Sequence, residues 1–332
     1  MIPNQWYAVL DSKQLIKSKP LGIRRFGENL VMWRVEDGQV ACLQDQCLHR
    51  GAALSAGKII DHQVQCPFHG LEFDVTGRCT YIPSYGRSGQ IPKVFKAMSH
   101  PAKDAFGFIW VFWGDWGQDL PPVRFFESIT DDFAYDTFLD HWPTHYSRVI
   151  ENQLDAIHLP FVHHNTIGRG NRRLVDGPFA KWAEDENDPD RLDIWVQNRV
   201  DDDSLPLKPS EMSQPDRHPS LQFRIPNVWQ NWISDTMRIV IAFVPVDNEN
   251  TLLLISTYQK VTKLPLLREI FNLSSRIGSF VIERQDRRVV ITQRPLRGYH
   301  RMGETLLRGD APVILYRRKR DELIKAAGKT VE

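Results

Sequence analysis

Residues 47–51 read CLHRG and residues 66–70 read CPFHG. Each stretch places a cysteine close to a histidine and closes on a glycine. The full spacing is Cys47, one residue, His49, sixteen residues, Cys66, two residues, His69. Two thiolates and two imidazoles can bind zinc tetrahedrally, or divide between two irons, with Cys47 and Cys66 on one and His49 and His69 on the other. Either way the four groups must meet, so this region has to fold with both loops held together.

The rest of the composition sets bounds. The chain has 332 residues, 42% hydrophobic and 25% charged, enough apolar content for one large domain or two modest ones. Lysine and arginine number 42 against 41 aspartate and glutamate. That balance supports neither nucleic acid nor an anionic membrane as a partner. The opening MIPNQWYAVLDSKQL lacks the basic start and apolar core of a secretory signal, and the longest apolar run, Ala105 to Trp113, is too short to span a bilayer. The expectation is a cytoplasmic protein. Four cysteines, at 42, 47, 66 and 79, are too few for a disulfide scaffold and suit reduced metal chemistry. Cys42 and Cys79 lie outside the paired pattern and read as small buried hydrophobes.

From Trp6 to about Trp113 run short alternating segments such as LVMWRV, LEFDV and FGFIWVFW, with turn signals FGEN, EDGQ and VTGR between them. That is the pattern of a small antiparallel sheet domain. Helical periodicity then appears in SRVIENQLDAIHLPFVHH and in LREIFNLSSRIGSFVIERQDRRVVITQRP, around a hairpin in RIVIAFVPVDNENTLLLISTYQ. Residues 201–219 read as a long surface loop, and YRRKRDELIKAAGKTVE as a solvated helix with a polar basic face. The expected class is α+β, divided into residues 1–116 and 117–332.

The flanks choose between the metals. Gly51 and Gly70 close the loops and Pro67 stiffens the second, so backbone N–H groups can turn toward bridging sulfides, donors that zinc does not require. In spacing, ligand order and flanking Gly and Pro, the chain resembles the Rieske two-iron two-sulfur family. Phe68 and Leu71 stand where that family frequently has Tyr or Trp, and Trp. A zinc-binding interaction protein is the reading this resemblance displaces.

The second constellation lies in ENQLDAIHLPFVHH. Asn152, Asp155 and His158 recur at three-residue spacing, as on one side of a helix, and Pro160 disturbs that helix so that His163 can turn back. Two neutral imidazoles and one carboxylate leave half of an octahedral ferrous iron open. Asp286 is the candidate carboxylate, on an amphipathic helix where Val281, Ile282, Val289 and Val290 offer apolar contacts; Glu283 is its rival. A lone helical aspartate is usually solvated. The run Asp-x2-His-x4-His at 155–163 resembles the mononuclear iron motif of Rieske non-heme iron oxygenase alpha subunits, in which a late helix supplies an aspartate ligand at the position of Asp286. Gln285 replaces a frequently acidic neighbour. Asn152, six residues before His158, is similar to the short-chain monooxygenases and demethylases; Glu151 holds the place used by ring-dihydroxylating relatives.

The resemblance implies a Rieske β domain followed by a helix-grip catalytic domain, a [2Fe-2S] cluster and mononuclear Fe(II), and a head-to-tail homotrimer. Asp155 would then bridge His69 of one chain and His158 of the next. The implied activity is O2-dependent hydroxylation or oxidative dealkylation of a small organic, aromatic substrates included. Electrons would come from a separate reductase or ferredoxin, since no dinucleotide fingerprint or plant-type ferredoxin spacing is present. The alternative is an electron carrier without oxygenase activity. Trp229, Trp232, Ile255 and Tyr258 are candidate pocket walls, though sheet core suits each of them as well, and Arg169, Arg172 and Arg173 form a basic loop that is either solvated or placed to attract an anionic substrate. His164 faces away from His163 and is left out of the site.

Overall fold

The computed structural model describes residues 1–331 except 36, 37, 118, 186, 187 and 263, so half of the EDGQ turn lies outside the described residues. The chain divides into two compact units: Asn4–Val123 with Pro245–Asp247, and Met1–Pro3 with Arg124–Val244 and the residues from Asn248 onward. Trp6 Nε1 donates to the Pro121 carbonyl at 2.8 Å, which keeps the segment after Trp113 with the first unit.

Strands dominate the first unit. They are β1 (Gln5–Asp11), β2 (Leu21–Arg25), β3 (Glu28–Arg34), β4 (Val40–Gln44) and β5 (Lys58–Ile60), followed by β6 (Gln63–Gln65), β7 (Glu72–Phe73), β8 (Cys79–Tyr81), β9 (Ala102–Ala105) and β10 (Phe108–Trp113). They form three small sheets, ordered β1-β10-β9, β2-β3-β4 and β5-β6-β7-β8. Inward side chains of β3 and β4, among them Val31, Trp33 and Leu43, pack with Leu54, Val64 and Phe73. Cys47 and Cys66 belong to this same core. Cys42 and Cys79 are buried free thiols, as small hydrophobes are.

The second unit is a seven-stranded sheet with helices. Its strands are β11 (Ala134–Trp142), β12 (Leu174–Trp182), β13 (Arg191–Arg199), β14 (Leu221–Arg224), β15 (Val228–Ser234), β16 (Met237–Pro245) and β17 (Thr251–Gln259). The order β11-β17-β16-β15-β14-β13-β12 makes β16 and β17 neighbours, as the hairpin pattern predicts. The helices are α1 (Tyr146–Leu154), α2 (Leu159–Val162), α3 (Pro265–Val290) and α4 (Ala311–Ala326). Tyr146, Val149, Ile150 and Leu154 recur at helical spacing and pack α1 against Phe223, Phe243 and Ile255 of the sheet. Each such burial contributes about 1.5–3 kcal/mol.

Two expectations change. First, the segment 146–163 is not one helix. Asp155 is extended (φ −87, ψ 132), and its Oδ1 accepts the Ile157 N–H at 2.7 Å, a local bond that competes with helix continuation. Pro160 then opens α2 near its N-terminus rather than disturbing a helix already formed. Second, α4 is not a solvated basic helix: Arg317 and Arg320 are buried with Tyr316 and Ile324.

Arg317 owes that burial to Glu151. Its Nε and Nη2 donate to the Glu151 carboxylate at 2.8 and 2.7 Å, Arg148 Nη1 adds a third bond at 3.0 Å, and Glu304 pairs with both guanidiniums at 2.8–2.9 Å. Gly298 closes the space, since a Cβ there would lie 1.8 Å from Glu151 Oε1. Glu151→Ala leaves two buried guanidiniums sharing one carboxylate, so denaturant titration should show the second unit destabilised by about 3–5 kcal/mol.

Candidate metal centres and substrate cavity

The two Cys-His loops share one backbone design. In the first, Cys47 N–H donates to Ala52 O at 2.8 Å and Gly51 N–H returns to Cys47 O at 2.8 Å. In the second, Cys66 N–H donates to Leu71 O at 2.8 Å and Gly70 N–H returns to Cys66 O at 3.1 Å. Gly51 and Gly70 hold φ of +75° and +72°, which glycine adopts without strain. Both thiols are buried and close enough to hydrogen bond, and burial pushes that of Cys47 up to about 11. His49 and His69 are exposed, with their Nδ1 atoms 3.1 Å apart. Two sulfurs in a protein core and two converging imidazoles at its surface are a donor set that fits a two-iron, two-sulfide cluster. Phe68 lies against the His69 ring at 3.9 Å and is 57% exposed, whereas Leu71 is buried in the core.

The second centre lies in the other unit. Because α1 stops at Leu154, His158 and His163 fall at the two ends of α2, and α3 brings Asp286 to meet them. Asp286 Oδ1 lies 3.0 Å from His163 Nε2 and 3.5 Å from His158 Nε2. The three ligand atoms lie within 4.8 Å of one another, and Asp286 Oδ1 is buried without a hydrogen-bond donor. An orphaned carboxylate oxygen between two imidazole nitrogens fits a bound cation. Burial alone would lower the His163 pKa, but the Asp286 carboxylate beside it, with Gln285, outweighs burial and raises it. Glu283 is not part of this cluster.

Each imidazole is oriented through its other nitrogen. His158 Nδ1 faces Asp155 Oδ2 at 3.3 Å, while His163 Nδ1 lies 2.8 Å from Gln285 Oε1. Thr166 Oγ1 donates to the same oxygen at 2.8 Å, and Gln285 Nε2 donates to Asn165 Oδ1 at 2.8 Å. Gln285 thus takes up an orienting role that the sequence showed only as a missing acid; its position beside Asp286 was the available signal. The Asn152 amide Nδ2 is buried without a partner and does not line the cavity. His164 turns to the Phe161 carbonyl.

A cavity of about 370 Å³ opens on His158, His163 and Asp286, a volume ordinary for a small-molecule site. Trp229, Asn231 and Ile233 face it from alternate positions of β15, and Ile239 and Ile241 from β16. The same alternation turns Trp232 away, where it stacks with His218 and Arg238. Ile255 is sheet core and Tyr258 stacks with Tyr135. Of the four aromatic and aliphatic candidates only Trp229 reaches the cavity. On α3, Ser279, Ile282, Glu283 and Asp286 line it, while Val281 and Val289 are exposed. None of Arg169, Arg172 and Arg173 lines it.

Gln285→Leu keeps the side-chain bulk and removes the acceptor for His163. It should lower ferrous-iron affinity at the three-residue cluster about 10–100-fold, read by competition with a chelator, while the exposed His164→Ala leaves it unchanged.

Comparison with known proteins agrees with both halves. Residues 5–95 match the family of Rieske [2Fe-2S] domains, and residues 142–326 match the vanillate O-demethylase oxygenase C-terminal domain. Chlorophyllide a oxygenase of Chlamydomonas reinhardtii is 38% identical over 170 residues, 50% of this chain and 25% of that protein. The vanillate O-demethylase oxygenase subunit of a Pseudomonas strain is 34% identical over 184 residues, 54% of this chain and 50% of its own. The chain thus spans about a quarter to a half of these curated relatives. In fold it is similar to NdmA of Pseudomonas putida CBB5, with TM-score 0.77 at 20% identity, covering 98% of this chain and 91% of that one. It is also similar to dicamba monooxygenase, with TM-score 0.70 at 19% identity and 99% of both chains covered. The α+β architecture, a strand-built Rieske domain ahead of a helix-grip sheet, is the one those structures share. The chain belongs to the Rieske non-heme iron oxygenases, as an alpha subunit with a [2Fe-2S] domain and a mononuclear-iron catalytic domain.

Proposed function

We propose that this chain is the oxygenase component of a multicomponent Rieske system that hydroxylates a small organic molecule, aromatic substrates included, or dealkylates it oxidatively. The observation that carries the reading is the cavity of about 370 Å³ opening directly on His158, His163 and Asp286, which a pure electron carrier would not need. In this reading Cys47, His49, Cys66 and His69 hold the [2Fe-2S] cluster, and His158, His163 and Asp286 hold ferrous iron. When bound, the iron activates O2 using two electrons that a separate reductase or ferredoxin supplies. The cluster domain is assigned residues 1–116 and the catalytic domain residues 117–332.

The chain's own residues orient and exclude. Gln285 and Asp155 set the two imidazoles, and the isoleucines around Trp229 keep the cavity dry beside the open metal positions. Asp155 Oδ2 already faces His158, and in a head-to-tail homotrimer it would also accept a hydrogen bond from the partner subunit's His69. Asn152 is assigned a supporting role on its spacing, six residues before His158. Exposed apolar side chains support an assembly that covers them: Leu48 and Phe68 beside the cluster loops, and Leu266, Ile270, Leu273 and Ile277 along α3. Cytoplasmic placement belongs to this reading because the four cysteines are unpaired, which suits a reducing compartment. No described helix is long and apolar enough to cross a membrane. Relatives named as chloroplastic occur in other organisms.

Anaerobically purified protein should contain about three irons and about two acid-labile sulfides per chain, with a Rieske visible spectrum. About two irons, unchanged after ferrous ion is added, would favour the electron carrier instead. Asp155→Asn should keep the iron content and the spectrum while reductant-driven O2 consumption with substrate falls about 10–100-fold. Unimpaired turnover would remove the bridging role.

A further inference from the structure

The first unit carries a charge asymmetry that its metal site does not explain. Residues 75–103 hold five basic side chains, Arg78, Arg87, Lys93, Lys96 and Lys103, and no aspartate or glutamate, in a chain whose net charge is only +1. The fold gathers three of them around one cavity of about 350 Å³, which Arg78, Lys93 and Lys96 line with Thr76, Ile91 and Phe95. Arg78 and Lys96 face each other across an antiparallel bridge, so their Cα atoms lie about 4.5–5.5 Å apart. Lys93 stands in the adjoining turn, where Phe95 N–H donates to Pro92 O at 3.0 Å. All three are exposed, and among the described residues none has an ion-pair partner. The adjacent carboxylates do not line the cavity and are engaged elsewhere. Glu72 accepts from Gln65 Nε2 at 2.9 Å, and Asp74 Oδ1 accepts the Thr76 and Arg78 N–H groups of its own turn.

What lies behind these cations ties them to the cluster loops. Cys79, Ile91 and Phe95 form the cavity floor and belong to, or pack against, the core that holds Cys47 and Cys66. Cys79 is paired with Phe73, and Phe73 with Val64, two residues before Cys66. Two strand spacings of about 4.8 Å and two residues of about 3.4 Å each place the Cys66 backbone about 12 Å from that of Cys79. Val94, 78% exposed between Lys93 and Phe95, adds apolar surface at the rim.

Resting on the reading that a separate carrier supplies the electrons, we propose that this basic cavity is the docking surface for that carrier, a one-electron iron–sulfur protein with an acidic face. With the His69 side of the cluster assigned to a neighbouring subunit, the carrier needs a second approach, and this one reaches the cluster through the core that holds its cysteines. In each encounter one electron leaves the carrier, which is oxidised, and enters the site formed by Cys47, His49, Cys66 and His69, with no bond made or broken. Two encounters supply the two electrons used per O2. The three cations speed the encounter and fix its orientation, while Val94 and the cavity floor supply apolar contact.

The probe is a plant-type [2Fe-2S] ferredoxin, an acidic protein whose potential lies below that of a Rieske centre. Its binding to the anaerobic, cluster-loaded protein is measured by calorimetry, and reduction of the cluster by stopped-flow absorbance. Raising the ionic strength from about 0.02 to about 0.2 M should weaken binding and slow reduction about tenfold or more. Reversing the three charges together, Arg78→Glu with Lys93→Glu and Lys96→Glu, should do the same at low salt. Reversing Lys13, Lys17 and Lys19, exposed residues outside the cavity, should change either by less than about twofold. Dithionite should reduce both variants at the unaltered rate, showing the cluster intact. Ferredoxin that does not bind, or binds regardless of salt, overturns the assignment without any variant having to fold. Equal losses in the two triple variants also overturn it, because they report net charge, and so does weakened binding with undiminished reduction, because electrons then enter elsewhere. A short oligothymidine that displaces ferredoxin at equal concentration marks a general polyanion surface and overturns it too. Docking through these residues by a chain that holds only two irons upholds the surface and sinks the oxygenase reading; three irons without docking do the reverse.

Discussion

The catalytic unit depends on the point where α1 ends. Asp155 leaves the helix by taking the Ile157 N–H on one carboxylate oxygen, and its other oxygen faces His158 Nδ1. One side chain therefore both stops the helix and orients an imidazole. Had α1 continued, His158 and His163 would lie five residues apart on one helix, rotated about 140° from each other, instead of flanking the single turn of α2. The cavity opens where it does because that turn brings both Nε2 atoms to Asp286.

The helix that delivers Asp286 is amphipathic in an inverted sense. Its inward positions, Asn272, Ser279, Glu283, Asp286 and Val290, are mostly polar, while Leu266, Ile270, Leu273 and Ile277 face outward. A polar stripe can be buried only where its groups find partners. Asp286 finds the two imidazoles and Ser279 and Glu283 border the cavity, so the inversion follows from what the helix serves. The outward apolar stripe is surface of the kind that association covers.

The first unit works through a contrast in environment. The sulfurs of Cys47 and Cys66 sit in the core that β3 and β4 build, whereas the rings of His49 and His69 are exposed. Matching backbone bonds in the two loops achieve this even though the ligand spacings differ by one residue, because Gly51 and Gly70 each close the turn four residues after the cysteine. The loop is the conserved unit within the chain, and the histidine is simply carried on it.

By itself the sequence determined what is local. The two Cys-His loops lie within five residues each, the strand alternation and the β16–β17 hairpin are short-range patterns, and His158 and His163 stand close together, so all were legible. Tertiary structure decided the rest for identifiable reasons. The stop at Asp155 is a contest between two local hydrogen bonds that periodicity cannot rank. Arg317 and Arg320 look solvated until Glu151 and Glu304, distant along the chain, are seen to meet Arg317. Trp229 rather than Trp232 faces the cavity only because the register of β15 places odd positions inward. Gln285 and Glu283, one an orienting acceptor and the other an unmet carboxyl, read as ordinary polar helix residues until the fold places one against His163 and the other against the cavity.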